Sequence, residues 1–493
     1  MQTVRNLLTE MSSAGYSGST NVVNDGINIH ADYQSPNLVG SKVEILKMSL
    51  KTNGGREIDL IPYYGGFVAE ENIFAPSITG YVTINDTEGG LEKFAIHGGE
   101  ILSIKVARPD TKDILIWRED LVIHKVSRNE VISAVGPNRF DLIFSSRSYV
   151  ESLKTNIFKS FSKTGIAEAV VYLFKQMSKN DLFIEDPKIT LQKPYIATGV
   201  CAHKAIDALA QRACAKDKYY VFFERFVPLF GNYSDGMPFT SSHYFGSVEK
   251  LITDAEIEGI KTIHFMPKLN ATIEGRTIRA SRYTRLENFN HLPGMMLGFY
   301  NSSIDIVNPL SRSYSRKKLS YADGQQETTD FYPNKLLATN NFFNIYSDAE
   351  NQTPGRKVIM KSINDSVARE EWMGNHIYGQ LSKTMMKIEV DIQGGTNGIS
   401  VGNVVRFATP SAVSVQTNPT SAFPELDPIY SGKYLVTSTI HVLRDDKYVK
   451  TLNMSRGSSP FNFDTGAVIP LGTEFEELKE EYNRLVLRNT RQP

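Results

Sequence analysis

The sequence predicts a mostly β protein, α+β overall, with two β domains separated by a mixed α+β middle region and a helix near the C-terminus. Three observations carry this. Apolar Leu102, Ile104 and Val106 alternate with Ser103 and Lys105, and Ile388, Val390 and Ile392 alternate with Lys387, Glu389 and Asp391, which is the period of a strand. Between these stretches the period lengthens to 3.6, in Ile166, Val170, Leu173 and Met177 and again in Ala202, Ala205, Ile206, Leu209 and Ala213. Turn signals separate short β-like pieces at roughly the 8–12-residue spacing of all-β domains.

Taken in order, residues 1–40 are rich in Ser, Asn and Gly without a sustained period and read as a flexible or docking arm. From Ser41, the segments Val43–Leu50, Ile58–Pro62, Ile78–Asn85, Ile101–Ala107, Ile114–Trp117, Leu121–Val126 and Phe140–Phe144 read as strands of a first β domain, 41–150. Gly65-Gly66, Asn85-Asp86 and Gly89-Gly90 read as its turns. The middle region, 151–355, holds two amphipathic helices capped by Thr164 and Thr198, strands at Tyr219–Phe223, Ile260–Met266 and Asn270–Ile278, and long loops at 226–242 and 322–355. A helix over about 364–382 leads into a second β domain, 356–465. This domain contains Lys387–Ile392, a strand over Val401–Ala408, a loop over 410–428 and a closing hairpin, Tyr430–Gly457. In its first strand, Tyr434, Val436, Ile440 and Val442 are expected on one face and Leu435, Thr437, Thr439 and His441 on the other, with one face buried. The extension 466–493 opens on a capping box, Thr473 and Glu476. It presents Phe475, Leu478, Tyr482 and Leu485 as a candidate partner-docking stripe, with packing on its own chain as the alternative.

At 493 residues the chain is too long for one core, and 54 basic residues balance 54 acidic ones. Net charge therefore gives no general pull toward nucleic acid or an anionic membrane. The two cysteines, Cys201 and Cys214, read as small core residues on one helical segment, too far apart for a disulfide. No apolar run approaches the roughly 18 residues of a membrane span, and no leader is apparent, so cytosolic synthesis without stable membrane insertion is expected.

Motifs that carry chemistry are sparse. Phosphate-cradling glycine loops, H-E-x-x-H and calcium loops are missing from the sequence. Gly398-Ile399-Ser400-Val401-Gly402 matches G-x-S-x-G, but a nucleophile elbow needs a strand before it and a helix after it, and here a strand follows. His97, His124, His264, His376 and His441 stand without a second His or Cys at ligand spacing and read as structural. The acid pairs Glu70-Glu71, Glu370-Glu371 and Asp445-Asp446 read as solvated turns or helix faces, and the basic, Tyr-containing Arg312–Tyr321 as a solvated loop. No catalytic residue, metal ligand or cofactor site is assigned.

Three segments, in order, resemble the baseplate hub proteins of contractile-tailed phages, including the hub of T-even phages and the hub half of type VI secretion spike proteins. Ile73–Pro109 is similar to the family's first barrel, with Gly98, Glu100 and Ile104 holding a G-x-E step into the next strand. The helices of Gly165–Met177 and Ala202–Cys214 are similar to its middle insertion. The 387–457 region carries the hairpin pattern G-K-Y-L-V-x-S-x-x-H, here with Gly432, Tyr434, Val436 and His441. The resemblance implies two tail-tube-like β-barrel domains and no enzymatic activity. It further implies a homotrimeric ring that adapts a sixfold tail tube to a threefold central spike and lines the channel for genome delivery. The implied partners are the spike, the tube, baseplate wedge or other tail proteins, and tape-measure protein and genomic DNA in the lumen; the implied location is the virion tail baseplate. Two other classes stay open: a β-rich carbohydrate-active or wall-degrading tail enzyme, and a receptor-binding tail module. The second is suggested by the aromatic loops at 226–244 and 331–346.

Overall fold

The computed structural model describes residues 41–86, 96–109, 114–131, 138–178, 180–188, 195–213, 218–226, 242–265, 277–288, 302–309, 312–319, 331–332, 334–335, 355–360, 385–393, 399–411, 425–459 and 477–484. The arm at 1–40, the expected helix at 364–382, the bulk of the three long loops, and His376, Cys214, Phe475 and Leu485 lie outside them.

Among the described residues eight strands come first: β1 Ser41–Lys42, β2 Glu44–Lys51, β3 Glu57–Asp59, β4 Tyr64–Asn72, β5 Thr79–Asp86, β6 Ile101–Ala107, β7 Ile114–Val131 and β8 Asn138–Ser146. All but β1 pair in the order β4-β5-β8-β7-β6-β2-β3. Met48, Phe67, Val82, Leu102, Ile104 and Phe144 project from them into one core. The alternation read in 101–107 is thus a core-facing stripe. Strand β4 corrects one expectation, because Gly65-Gly66, read as a turn, stands inside its first residues.

The middle region follows. It contains α1 Arg147–Lys154, β9 Asn156–Phe161, α2 Ile166–Phe174, β10 Leu182–Ile184, β11 Tyr195–Cys201, α3 Ala202–Arg212, β12 Tyr220–Arg225, β13 Ser242–Ser247 and α4 Val248–Glu258. Helices α2 and α3 occur where the 3.6 period placed them, and Ile166, Val170, Leu173, Ala205, Ile206 and Leu209 are buried together. Their first turns differ from expectation. Gly165 rather than Thr164 caps α2, and Cys201 rather than Thr198 caps α3. The reason in α3 is that Thr198 is engaged in the ladder pairing β11 with β9, so the helix starts where that ladder ends. Strands β12 and β13 are buried on both faces: Phe222 and Phe245 pack against the helices, Phe223 and Tyr244 against a second cluster with Val248, Val404 and Leu435.

The remaining strands are β14 Lys261–Phe265, β15 Thr277–Asn288, β16 Ser302–Asn308, β17 Ser313–Leu319, β18 Asn334–Lys335, β19 Gly355–Met360, β20 Met386–Gln393, β21 Val404–Ala408, β22 Gly432–Arg444, β23 Lys447–Arg456 and β24 Ser458–Ser459. Strand β17 replaces the solvated loop expected at 312–321 and pairs antiparallel with β16. Pairings β23-β20-β15-β14-β21-β22 close on themselves through β22–β23, forming a six-stranded barrel around Ile263, Ile388, Val390, Phe407, Tyr434 and Met454. Two of these strands, β14 and β15, come from the stretch read on sequence as middle region. Strand β14 runs parallel to both β15 and β21, which no local pattern encodes.

The hairpin β22–β23 belongs to both β units. Its base closes the six-stranded barrel, while Ser438–Leu443 pairs with β4 and the tip of β23 pairs with β1, Ser41 opposite Tyr448. Asp446 carbonyl also accepts from Val43 N–H at 2.8 Å. Following the ladders from β22 through β4, β5, β8, β7, β6 and the β1–β2 segment therefore returns to β23. Strand β22 is buried along its length to Leu443, not on one face as expected. The expected facing also changes along the strand. Tyr434 and Val436 enter the second core, whereas Leu443 enters the first and Ile440 and Val442 pack on the opposite side with Val68. The register shift between Val436 and Ser438 explains it: one extra residue, Thr437, reverses the parity, so the same side of the hairpin fills both cores.

Deletion of Thr437 should restore uninterrupted parity and turn either the Tyr434–Val436 pair or the His441–Leu443 pair away from its core. The expected result is loss of the cooperative unfolding transition, or a destabilisation exceeding the roughly 2–5 kcal/mol of a single buried Leu→Ala change such as Leu443→Ala. Denaturant titration of the two variants side by side checks it.

Candidate functional site at the junction of the two barrels

Strand parity puts Phe67, Ala69 and Glu71 on the inward side of β4, so an acid is carried to the place where the first core ends and the second begins. The Glu71 side chain has no solvent exposure. One carboxylate oxygen accepts from the Ser400 hydroxyl at 2.6 Å and lies 3.3 Å from His441 Nε2; the other accepts from the Phe226 amide at 2.7 Å. His441 Nδ1 stands 2.7 Å from the Tyr448 hydroxyl. Four parts of the fold thus converge on one carboxylate: β4, the shared hairpin, the turn leading into β21, and the end of β12. Across the hairpin from His441 lies Lys450, whose ammonium donates to the Ile399 carbonyl at 3.3 Å.

A second buried carboxylate, Glu224 on β12, ties the same strand to the first β unit. It accepts from the Ser146 and Ser148 hydroxyls and the Ile78 amide, and its other oxygen lies 3.7 Å from Arg118. Arg118, fully buried on β7, is held by both oxygens of Asp120 and donates to the Phe226 carbonyl at 3.1 Å. A guanidinium can be buried here because charged and carbonyl acceptors replace its water.

The electrostatics follow from these partners. Burial alone would raise the Glu71 carboxyl, but its bonds to His441, the Phe226 amide and the Ser400 hydroxyl outweigh that and hold it below the usual carboxylate range. Burial lowers His441, opposed by Glu71 and helped by Lys450 and Arg118, so the imidazole is neutral near pH 7. Burial likewise brings Lys450 down to about 8, despite the attraction of Glu71.

Ser400 donates to a carboxylate with little proton affinity, in a site closed to solvent. This is the geometry of a tie rather than of an activated nucleophile, for which a competent base must take the serine proton. Val401 and Gly402 form a turn and β21 begins at Val404, so a strand rather than a helix follows Ser400; Gly398 lies outside the described residues. Among the described residues no group of three His, Cys, Asp or Glu side chains could hold a metal ion.

The other residues singled out from sequence fall in three places. Gly98 and Glu100 form a compact turn before β6: the Glu100 carboxylate accepts from the His97 and Gly98 amides at 2.9 and 2.8 Å, and Gly98 has φ +100°, open to glycine at little cost. Ile104, two positions into the inward stripe, is core. At the base of the hairpin, Gly432 has φ +132°, and a Cβ there would run into the Tyr332 hydroxyl, which itself accepts from the Lys433 amide. Tyr434 donates to the Tyr430 carbonyl at 2.8 Å beneath the buried Arg456 guanidinium, and Val436 packs in the same core. In a helix over 477–484 (α5), Leu478 and Tyr482 are buried within this chain. The Tyr482 ring stands 5.8 Å from His264, and Glu481 accepts from Thr262, so the helix lies on β14.

Sequence reasoning placed Glu71 in a solvated pair and did not single out Arg118, Glu224 or His243. The available signal was the inward parity of Phe67-x-Ala69-x-Glu71, hidden because β4 itself was not read as a strand.

No family model matches the sequence, and no curated protein matches it. Several solved structures are similar in fold. The tail protein from Neisseria meningitidis MC58 matches over 83% of this chain and 96% of its own, at 9% identity and a TM-score of 0.46. The prophage MuSo2 43 kDa tail protein from Shewanella oneidensis matches over 83% and 98%, at 8% identity and 0.47. The E. coli c3393 protein, a component of the type VI secretion system with structural similarity to T4 bacteriophage tail proteins gp27 and gp5, matches over 87% and 80%, at 10% identity and 0.38. At such identities and TM-scores the similarity is remote and by itself assigns neither family nor activity.

Replacing Glu71 by Ala should cost roughly 3–5 kcal/mol, because it leaves the buried Ser400, His441 and Phe226 amide without their acceptor; Glu71→Gln should cost less. The sign of the pH effect follows from the lowered folded pKa. Glu71's contribution is fully present above the unfolded value of 4.5 and drains as pH falls through the lower folded one, so the wild-type minus Glu71→Gln difference should shrink in acid. Chemical denaturation at several pH values measures both. Glu100→Ala, which frees two amides at the turn, should cost about 1–2 kcal/mol in the same assay.

Proposed function

We propose that this chain is a structural hub of a phage tail or a related injection machine. Three copies form a ring whose two barrels per subunit meet a sixfold tail tube on one side, while the ring's threefold axis receives a central spike on the other. The observation that carries this reading is the pair of β units in one chain, welded through a single hairpin. A symmetry adaptor needs two tube-facing units per subunit held at a fixed mutual orientation, since any play between them would spoil the near-sixfold match. Hinged linkers permit such play; a continuous strand pair running from one core into the other opposes it. The sequence resemblance of 73–109 and 387–457 to baseplate hubs supplies the class of assembly. On this reading the chain acts by shape, its location is the virion tail, and its partners are the tube, the spike and neighbouring baseplate proteins, with tape-measure protein and DNA passing through the ring.

Mass photometry of the purified chain, followed by cryo-EM of the largest species, tests the proposal. A three-subunit ring showing six barrels around its axis is the expected result. Monomer alone across the accessible concentration range, together with no ring on addition of tube or spike protein, would overturn it.

A further inference from the structure

The hub reading makes no use of His243, a buried imidazole whose two ring nitrogens have no hydrogen-bond partner among the described residues. It lies in β13 directly opposite Glu224 of β12, with Nε2 3.8 Å from the Glu224 carboxylate. Phe174 of α2 meets the ring edge-on at 4.9 Å, and Phe222 of β12 stacks at 5.9 Å. From the barrel side, Arg118 of β7 contributes its positive charge. The His243 backbone amide donates to the Asp181 carbonyl just before β10, so the residue is fixed in the sheet whatever its ring does.

Glu224 is one of the anchors by which this sheet holds the first β unit, beside the Phe226 amide and carbonyl, which meet Glu71 and Arg118. The Glu224 carboxylate is shared among Ser146, Ser148, the Ile78 amide and Arg118. A proton on His243 would place a second cation beside Arg118, against the rings of Phe174 and Phe222. The Glu224 carboxylate 3.8 Å away attracts that proton, but it is already engaged by Ser146, Ser148, the Ile78 amide and Arg118, so pairing with His243 would draw it from those partners. The docked state therefore resists the proton, and an undocked, hydrated sheet accepts it.

We propose that acid undocks the β10–β13–β12 sheet from the N-terminal β unit while both barrels stay closed, with His243 as the group that takes up the proton. Burial, helped by the Arg118 charge, lowers His243 from 6.5 to about 3 in the docked protein. With the docked pKa below the undocked one, docking is fully favoured above pH 6.5. It then weakens by up to tenfold per pH unit as pH falls toward the docked value. His441, the other neutral imidazole at the junction, faces Glu71, Tyr448, Lys450 and Arg118. Its Nδ1 and Nε2 both have polar partners, so it gains less from exposure.

Hydrogen exchange of the full-length chain at pH 7.5 and 5.0, corrected for the intrinsic pH dependence of exchange, tests it. Protection in 220–226 and 242–247 should fall about 30-fold at pH 5.0, with β5, β8, β20 and the base of the β22–β23 hairpin unchanged. His243→Phe should abolish that increment, and His243→Gln provides the same comparison should the larger ring fail to pack. A uniform loss of protection, no loss in this sheet, or an increment that survives loss of the imidazole would overturn the proposal.

Discussion

One strand pair has to satisfy two interiors at once, and the rest of the architecture is arranged around that constraint. The side of β22–β23 that carries Tyr434, Val436, Leu452 and Met454 into the six-stranded barrel is the side that carries Leu443 and Tyr448 into the other core. A regular strand keeps its facing for as long as its parity holds. Strand β23 does so, whereas β22 changes parity at Thr437 because its neighbour changes there: the Ile73 amide donates to the Thr437 carbonyl, just where β4 has finished its ladder with Ser438–Leu443. A bulge also increases local twist, and the hairpin thereby turns from the wall of one barrel into the wall of the next without a break in the chain.

A shared wall leaves a seam, and polar groups occupy it. Between Leu443 and Val436 the inward side is taken by His441 and Thr439, opposite Lys450 and Leu452, where neither core closes over them with aliphatic atoms alone. Glu71 completes the seam by giving His441, Ser400 and the Phe226 amide one acceptor. A buried charge pair adds little net stability, but separating it is costly, so a packing that slid one barrel on the other would strand the Glu71 carboxylate. Such a seam discriminates against sliding of one barrel on the other more than it binds them. That is a useful property for two units whose relative orientation matters.

The parts legible in the sequence were those that depend on neighbours along the chain. The inward stripes of β6 and β20 and the apolar faces of α2 and α3 follow from local periodicity, and the structure places Leu102, Ile388, Val170 and Ile206 in cores accordingly. The parts that were not legible depend on partners far away. Strands β14 and β15 were read as middle region because nothing local says that Ile263 will lie beside Phe407 in a parallel ladder. The Thr437 bulge left no mark, since Val436-Thr437-Ser438-Thr439-Ile440 reads as ordinary β-forming sequence in either parity. Glu71 was hidden by a glycine pair that reads as a turn but stands in a register shift of the β4–β5 ladder, Gly66 opposite Thr83, just before β4 also pairs with β22 from Phe67 onward.

The same long-range dependence bears on how the chain reaches its structure. The first β unit is assembled from residues 41–146 but is completed by a hairpin that begins at Gly432, so its β4 edge and its β1 terminus have no partner until the C-terminal barrel strands exist. An unpaired strand edge beside an apolar interior is a hazard for self-association. The buried polar residues on that edge temper it: Glu71, with the half-buried Glu70 beside it, places charge at the unpaired rim of β4, and a like strand laid against it would bring carboxylate against carboxylate. The proper hairpin answers both acids, Ser438 donating to Glu70 and His441 meeting Glu71. Glu71 in the seam and Glu70 on the other face of β4 thus both favour this hairpin as the strand that closes the edge.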